Sequence, residues 1–188
     1  MEIFNLFPTL IMKFTEVLSS SELDSIFEKL KKHKSAEFNS VWVRSRSSYP
    51  IQNDILSELG LKKRIQKRID EYCDQVKLNY PKISKSWFTI TDVGGMVKEH
   101  DHPGSLVSGS LYINVDEYSN PITFKNPNPI ASFNLVSSAR PDLSPYTYRD
   151  YTFIPKKGDL LLFPSLLEHG CAYTPNQTVD RTIISFNT

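Results

Sequence analysis

The chain is poor in the residues that announce special chemistry or special architecture. Its 188 residues include two cysteines, four histidines, two tryptophans and seven glycines. Cys73 and Cys171 lie far apart and form no CxxC pair, so they are expected to be small buried side chains rather than a disulfide framework or a redox couple. Charge of one sign is not in excess: 22 Lys and Arg face 21 Asp and Glu, a net charge of +1. That balance argues against a nucleic-acid groove or an acidic membrane surface. No run approaches the roughly 18 apolar residues of a membrane span. The start, MEIFNLFPTLIMKF, has an acid at position 2 and no cationic lead-in, which is unlike a signal peptide. The expectation is a single soluble, cytoplasmic domain.

The periodicity changes once along the chain. SSSELDSIFEKLKKHK sets Leu23, Ile26, Phe27 and Leu30 at helical spacing, behind Ser19 and Glu22, which fit a capping box. LKKRIQKRIDEYCDQVKL sets Leu61, Ile65, Ile69, Tyr72 and Val76 on one face, with a basic face opposite that Asp70, Glu71 and Asp74 offset. From about residue 84 come short β-rich runs separated by turn residues: SWFTITDV, SLVSGSLYINV, PITFKN, IASFNLV, YTFIP, GDLLLFPS, EHGCAYT and RTIISFN. Helices followed by seven or eight strands predict an α+β domain. Residues 1–80 would be mainly helical support, and residues 84–188 an antiparallel sandwich or jelly roll. The stretch 137–149, with Arg140, Tyr146, Tyr148 and Arg149, reads as a long loop, either a substrate lid or a surface excursion.

Half of the histidines fall in one short phrase, KEHDHPGS. If that phrase is extended, His100 and His102 share a face and Asp101 points the other way. Two imidazoles on one face can chelate a first-row metal ion, although HxH alone also suits a polar turn. His169 follows the apolar run Leu160 to Phe163, a strand that can return beside the histidine pair and add a third ligand. Arg181 opens the last strand, facing either solvent or a cavity; inside a cavity, its guanidinium fork matches a carboxylate. No paired carboxylates suggest acid–base catalysis. Ser105, Ser108 and Ser110 have no base of their own, which sets aside a serine hydrolase.

Four phrases in this order, HxHPGS, SGSLY, GDLLLFPSxLxH and RxxxSFN, carry a resemblance. They resemble the small iron- and 2-oxoglutarate-dependent oxygenases, in a branch with HxHP known from marine bacteria and their phages. The similarity is strongest from Trp87 to Asn187, and NLFPTLI near the start also resembles that branch.

The resemblance implies a double-stranded β-helix, cupin-like, with the N-terminal helices packed on its sheet. It also implies an oxidoreductase using Fe(II), 2-oxoglutarate and O2. His100, His102 and His169 would ligate iron, with His102 where most relatives carry a carboxylate. Arg181 would take the distal carboxylate of 2-oxoglutarate, with Ser185, Tyr112 and Thr89 as weaker candidates for contacts to it. The implied reaction hydroxylates a small molecule or peptide and releases succinate and carbon dioxide. Two alternatives stand beside it: a three-histidine cupin-type dioxygenase without 2-oxoglutarate, which leaves Arg181 idle, and a non-catalytic jelly-roll binding module.

Overall fold

The computed structural model describes residues 1–3, 7–37, 41–51, 54–128, 145–171 and 174–188. Among these residues three helices and ten strands follow one another: β1 (Met12–Phe14), α1 (Ser20–Lys32), β2 (Ala36–Glu37), β3 (Trp42–Ser47), α2 (Ile55–Glu58), α3 (Lys62–Val76), β4 (Lys85–Val97), β5 (Val107–Asn114), β6 (Ile122–Lys125), β7 (Asp150–Phe153), β8 (Leu160–Pro164), β9 (His169–Gly170) and β10 (Arg181–Asn187). The strands form two antiparallel sheets, a large one in the order β1-β8-β5-β10-β4-β3-β2 and a small one in the order β7-β6-β9. Together they make the expected jelly roll.

Helix α1 begins, and both long helices pack, as their sequences require. Ser19 caps α1 through the Glu22 backbone N–H, and the Glu22 carboxylate accepts from the Ser19 N–H at 2.8 Å. Leu23, Ile26 and Leu30 of α1 and Ile65, Ile69 and Tyr72 of α3 are buried in one cluster with residues from the large sheet. The basic face of α3 is solvated and partly paired, for instance Arg68 with Glu71.

The alternation of the strands then decides what the sheet presents to each side. Leu160, Leu162, Leu111, Ile184, Phe186, Phe88 and Ile90 belong to the helix-side cluster. Their neighbours Leu161, Phe163, Tyr112 and Ile183 belong to a second cluster, between the sheets, with Ile122 and Phe124 of β6. A central strand buried on both faces reads as nearly continuous apolar sequence, and LLLF does so.

The N-terminal third is less purely helical than its sequence suggests. It contributes β1, β2 and β3 to both edges of the large sheet. In β3 the buried positions include Ser45 and Ser47, so no apolar alternation marks the strand. A register shift between Val43 and Ser45, with Arg44 at φ 49°, breaks its period as well. The run IASFNLV and most of the stretch 137–149 lie outside the described residues.

Candidate active site

His100 and His169 face each other across a two-way backbone pairing. The His100 N–H donates to the His169 carbonyl and the His169 N–H to the His100 carbonyl, each at 3.0 Å. Gly170 lets the two chains come so close: a Cβ there would meet the Glu99 backbone N at 3.0 Å and its Cα at 3.1 Å. His102 is held by its own N–H donating to the Ser165 carbonyl at 2.9 Å. One candidate ligand atom from each of the three rings lies within 4.8 Å of the other two, and the ring centroids are 4.5–5.2 Å apart. Asp101 is exposed and outside the cluster, as the extended geometry requires.

The rings are electrostatically prepared to be neutral. Burial pushes His169 down to about 3, helped by the neighbouring His100 ring. Burial, then His100 and Lys85, pushes His102 down to about 4, and burial also lowers His100. Neutral imidazoles are the ligating form. The Nδ1 of His100 donates to the Lys98 carbonyl and that of His169 to the Leu167 carbonyl, both at 2.8 Å. Each ring therefore keeps the lone pair of Nε2 for a metal. Phe163 and Phe124 flank His169, with centroids at 4.7 and 5.8 Å, and give the cluster an apolar wall.

A cavity leads inward from the histidines between the two sheets. His100, His102, His169, Trp87, Tyr112, Cys171, Ser185 and Asn187 line it, and Arg181 lies at the opposite end of β10 from Asn187. Arg181 is 2% exposed. Its Nη2 donates to the Asn120 carbonyl at 3.3 Å, its guanidinium lies 5.9 Å from the Tyr112 ring centroid, and its Nε and Nη1 have no partner among the described residues. A buried guanidinium with two idle donors is costly unless an acceptor arrives. A carboxylate supplies the two oxygens that this fork matches. The Tyr112 and Ser185 hydroxyls line the same cavity and make no hydrogen bond among the described residues. Thr89 is placed differently: it is buried, its hydroxyl donates to Ser47 Oγ at 3.4 Å, and it does not line the cavity.

Two lining residues that residue types alone did not single out are Trp87 and Asn187. The Trp87 indole N–H is buried without a partner among the described residues, and its ring centroid lies 6.1 Å from that of His102. Asn187 meets the His102 ring directly, its Nδ2 3.3 Å from Nδ1. Parity was the signal that could have found Asn187, since Arg181, Ser185 and Asn187 stand at even spacing on one strand.

A three-imidazole cluster that could hold a metal ion and a buried arginine with idle donors that match a carboxylate lie in one jelly-roll cavity. Residues 85–187 match a protein-family model described as "Putative 2OG-Fe(II) oxygenase", and the chain belongs to that family. It is a 2-oxoglutarate- and Fe(II)-dependent oxygenase, with O2 as the family's oxidant. No curated protein sequence matches the chain.

Solved structures of similar fold include HygX from Streptomyces hygroscopicus with nickel and 2-oxoglutarate bound (16% identity, 95% of this chain and 82% of that one, TM-score 0.62). A prolyl-4-hydroxylase from Pseudomonas putida is also similar (10%, 95% and 92%, TM-score 0.65). So is a viral collagen prolyl hydroxylase from Paramecium bursaria Chlorella virus-1 in complex with 2-oxoglutarate (16%, 94% and 94%, TM-score 0.59).

Proposed function

We propose that His100, His102 and His169 hold Fe(II), that Arg181 binds the distal carboxylate of 2-oxoglutarate, and that the enzyme hydroxylates a C–H bond of a small molecule or peptide. The observation that carries this reading is the pair of idle Arg181 donors in the cavity that begins at the three histidines. The bound iron, 2-oxoglutarate and O2 supply the oxidising chemistry, with succinate and carbon dioxide as co-products. The chain's own work is to bind, orient and exclude water. Arg181 fixes one end of the dicarboxylate, and Tyr112 and Ser185 offer further hydrogen bonds beside it. Phe124 and Phe163 keep water from the His169 side. Three neutral imidazoles carry one negative charge less than the two-histidine, one-carboxylate set, so the metal is held with less electrostatic attraction.

Substrate would approach along the outer rim of the metal cluster. A depression of about 340 Å³ beside His100 and Asp101 shares Lys125, Asn126 and Pro127 with a groove of about 920 Å³. Tyr146, Tyr148, Tyr151 and Phe153 line that groove. Aromatic rings of this kind suit the apolar faces of either substrate class. Relatives of similar fold have been solved with hygromycin B and with a peptide fragment, which supports leaving both classes open.

The test is anaerobic titration of the metal-free protein with Fe(II) and then 2-oxoglutarate, following the visible charge-transfer band of the iron chelate. A band that is lost in Arg181→Ala supports the reading. Iron binding with no band overturns it in favour of a three-histidine dioxygenase, and no iron binding removes the metal site altogether.

A further inference from the structure

The three histidines are not anchored alike. The Nδ1 partners of His100 and His169 are backbone carbonyls, which only accept. Both rings are thereby fixed with the proton on Nδ1, and no side-chain substitution changes that. His102 has no backbone partner for its ring among the described residues. Its Nδ1 meets the side-chain amide of Asn187, which is buried at the end of β10. Behind it, Asn187 Oδ1 accepts from Ser108 Oγ at 2.8 Å, and Ser108 Oγ shares a hydrogen bond with Ser165 Oγ at 2.8 Å in which either hydroxyl can donate. Both serines are 1% exposed.

This relay works in two directions. With the amide nitrogen toward the ring, Asn187 donates and Nδ1 must accept, so a neutral His102 carries its proton on Nε2 and cannot ligate through it. With the amide turned over, Oδ1 accepts the Nδ1 proton, Nδ2 donates to Ser108 Oγ, and Ser108 donates to Ser165. No hydrogen bond is lost in the exchange, and Nε2 is left with its lone pair. A carboxylate in the position of His102 would need no such selector. An imidazole does, because only one of its neutral tautomers presents a lone pair at Nε2.

We propose that Asn187 is a positioning residue that selects the ligating tautomer of His102, through an amide whose reversal is absorbed by the Ser108–Ser165 hydroxyl pair. The inference rests on the three-histidine reading given above, and the experiment separates the two.

Co(II), as a visible stand-in for Fe(II), is titrated into metal-free wild type, His102→Ala, Asn187→Leu and Asn187→Asp, with the melting temperature of each metal-free protein measured alongside. Asn187→Leu is expected to weaken Co(II) binding about 10- to 100-fold, the usual cost of losing an outer partner of a ligand. Asn187→Asp is expected to bind within a few-fold of wild type or more tightly, since a carboxylate only accepts and holds the Nδ1 proton while still accepting from Ser108. A merely structural asparagine predicts the reverse for the Asp variant, which loses the Nδ2 donor.

Wild-type affinity in Asn187→Leu overturns the proposal, as does a loss of tenfold or more in Asn187→Asp. The Asp variant decides alone if the Leu variant does not fold. If His102→Ala binds Co(II) like wild type, or wild type binds none, the three-histidine reading fails and takes this one with it. If His102→Ala weakens binding and Asn187→Leu does not, only the role of Asn187 falls.

Discussion

Strand β10 has two faces that obey different rules. On the helix side, Thr182, Ile184 and Phe186 are fully buried, and the two apolar residues among them sit in a cluster of aliphatic and aromatic neighbours. On the cavity side, Arg181 keeps two guanidinium nitrogens and Ser185 its hydroxyl without a partner among the described residues, and Asn187 meets the ring of a metal-ligand candidate. The same seven residues thus build the core with one parity and the site with the other. The helix face gives the strand its stability. The cavity face costs some of it, because buried donors without acceptors are tolerated only where a ligand will supply them.

Substitutions on the two faces should therefore separate stability from binding. Phe186→Ala is expected to have the largest effect, a loss of about 3–5 kcal/mol in unfolding free energy, since Phe186 is fully buried and packs on Gly109 across the sheet. Denaturant melts measure the loss, and the folded fraction should keep its affinity for 2-oxoglutarate. Arg181→Ala is expected to do the opposite. Removing a buried charge partner of a carboxylate costs about 2–4 kcal/mol, so 2-oxoglutarate affinity in the Fe(II) protein should fall roughly 30- to 1000-fold. The melting temperature of the ligand-free protein should hold or rise, because the idle donors go with the side chain. A large drop in that melting temperature would show Arg181 to be a core residue and erase the contrast.

The titration of the two faces differs too. No residue of β10's helix face ionises, whereas the cavity holds His102 and His169 neutral, down to about 4 and about 3 from an ordinary 6.5. The unfolded chain takes up protons below about pH 6.5 that the folded one refuses. The stability of the metal-free protein is therefore complete above that pH and falls as pH drops toward 4. Between pH 7 and pH 5 each histidine accounts for about 2 kcal/mol. Melting temperatures across that range check the direction, and His169→Asn should flatten the slope.

How much of this was readable beforehand follows the same division. Helix α1, its capping box, helix α3 and strands β4, β5, β8 and β10 carry apolar periodicity, and periodicity is local. His100 and His102 were legible because a two-residue spacing puts two imidazoles on one face within one phrase. Arg181 could face solvent or a cavity on its residues alone, and the family resemblance gave it a role. Asn187 needed the register: only the pairing of β10 with β5, Asn187 opposite Ser108, puts its amide in the relay. Strand β3 escaped for a related reason. Its inner face is hydroxyl rather than apolar, with Ser45 donating to Thr91 Oγ1 and Ser47 to the Phe88 carbonyl. Where buried hydroxyls bonded to the neighbouring strand replace apolar side chains, the hydrophobic pattern that announces a strand disappears.

The smallest effect asks how far the cavity face extends toward the co-substrate. Tyr112 is 1% exposed and Ser185 stands two pairs from Ile183 on the same wall, yet neither hydroxyl has a hydrogen-bond partner among the described residues. A buried phenol without a partner behaves in one of two ways. If it serves only as an apolar ring, stacked beside the Arg181 guanidinium, Tyr112→Phe leaves 2-oxoglutarate affinity unchanged and slightly favours the folded state. If it waits for a carboxylate, Tyr112→Phe leaves the melting temperature alone and weakens 2-oxoglutarate by about 1 kcal/mol, roughly fivefold. We expect the second result, with Ser185→Ala giving a loss of similar size or less. Titrations of the two variants and their combination measure it. Additive losses would place the hydroxyls on separate oxygens of the ligand, and a combined loss no larger than either alone would place them on the same one.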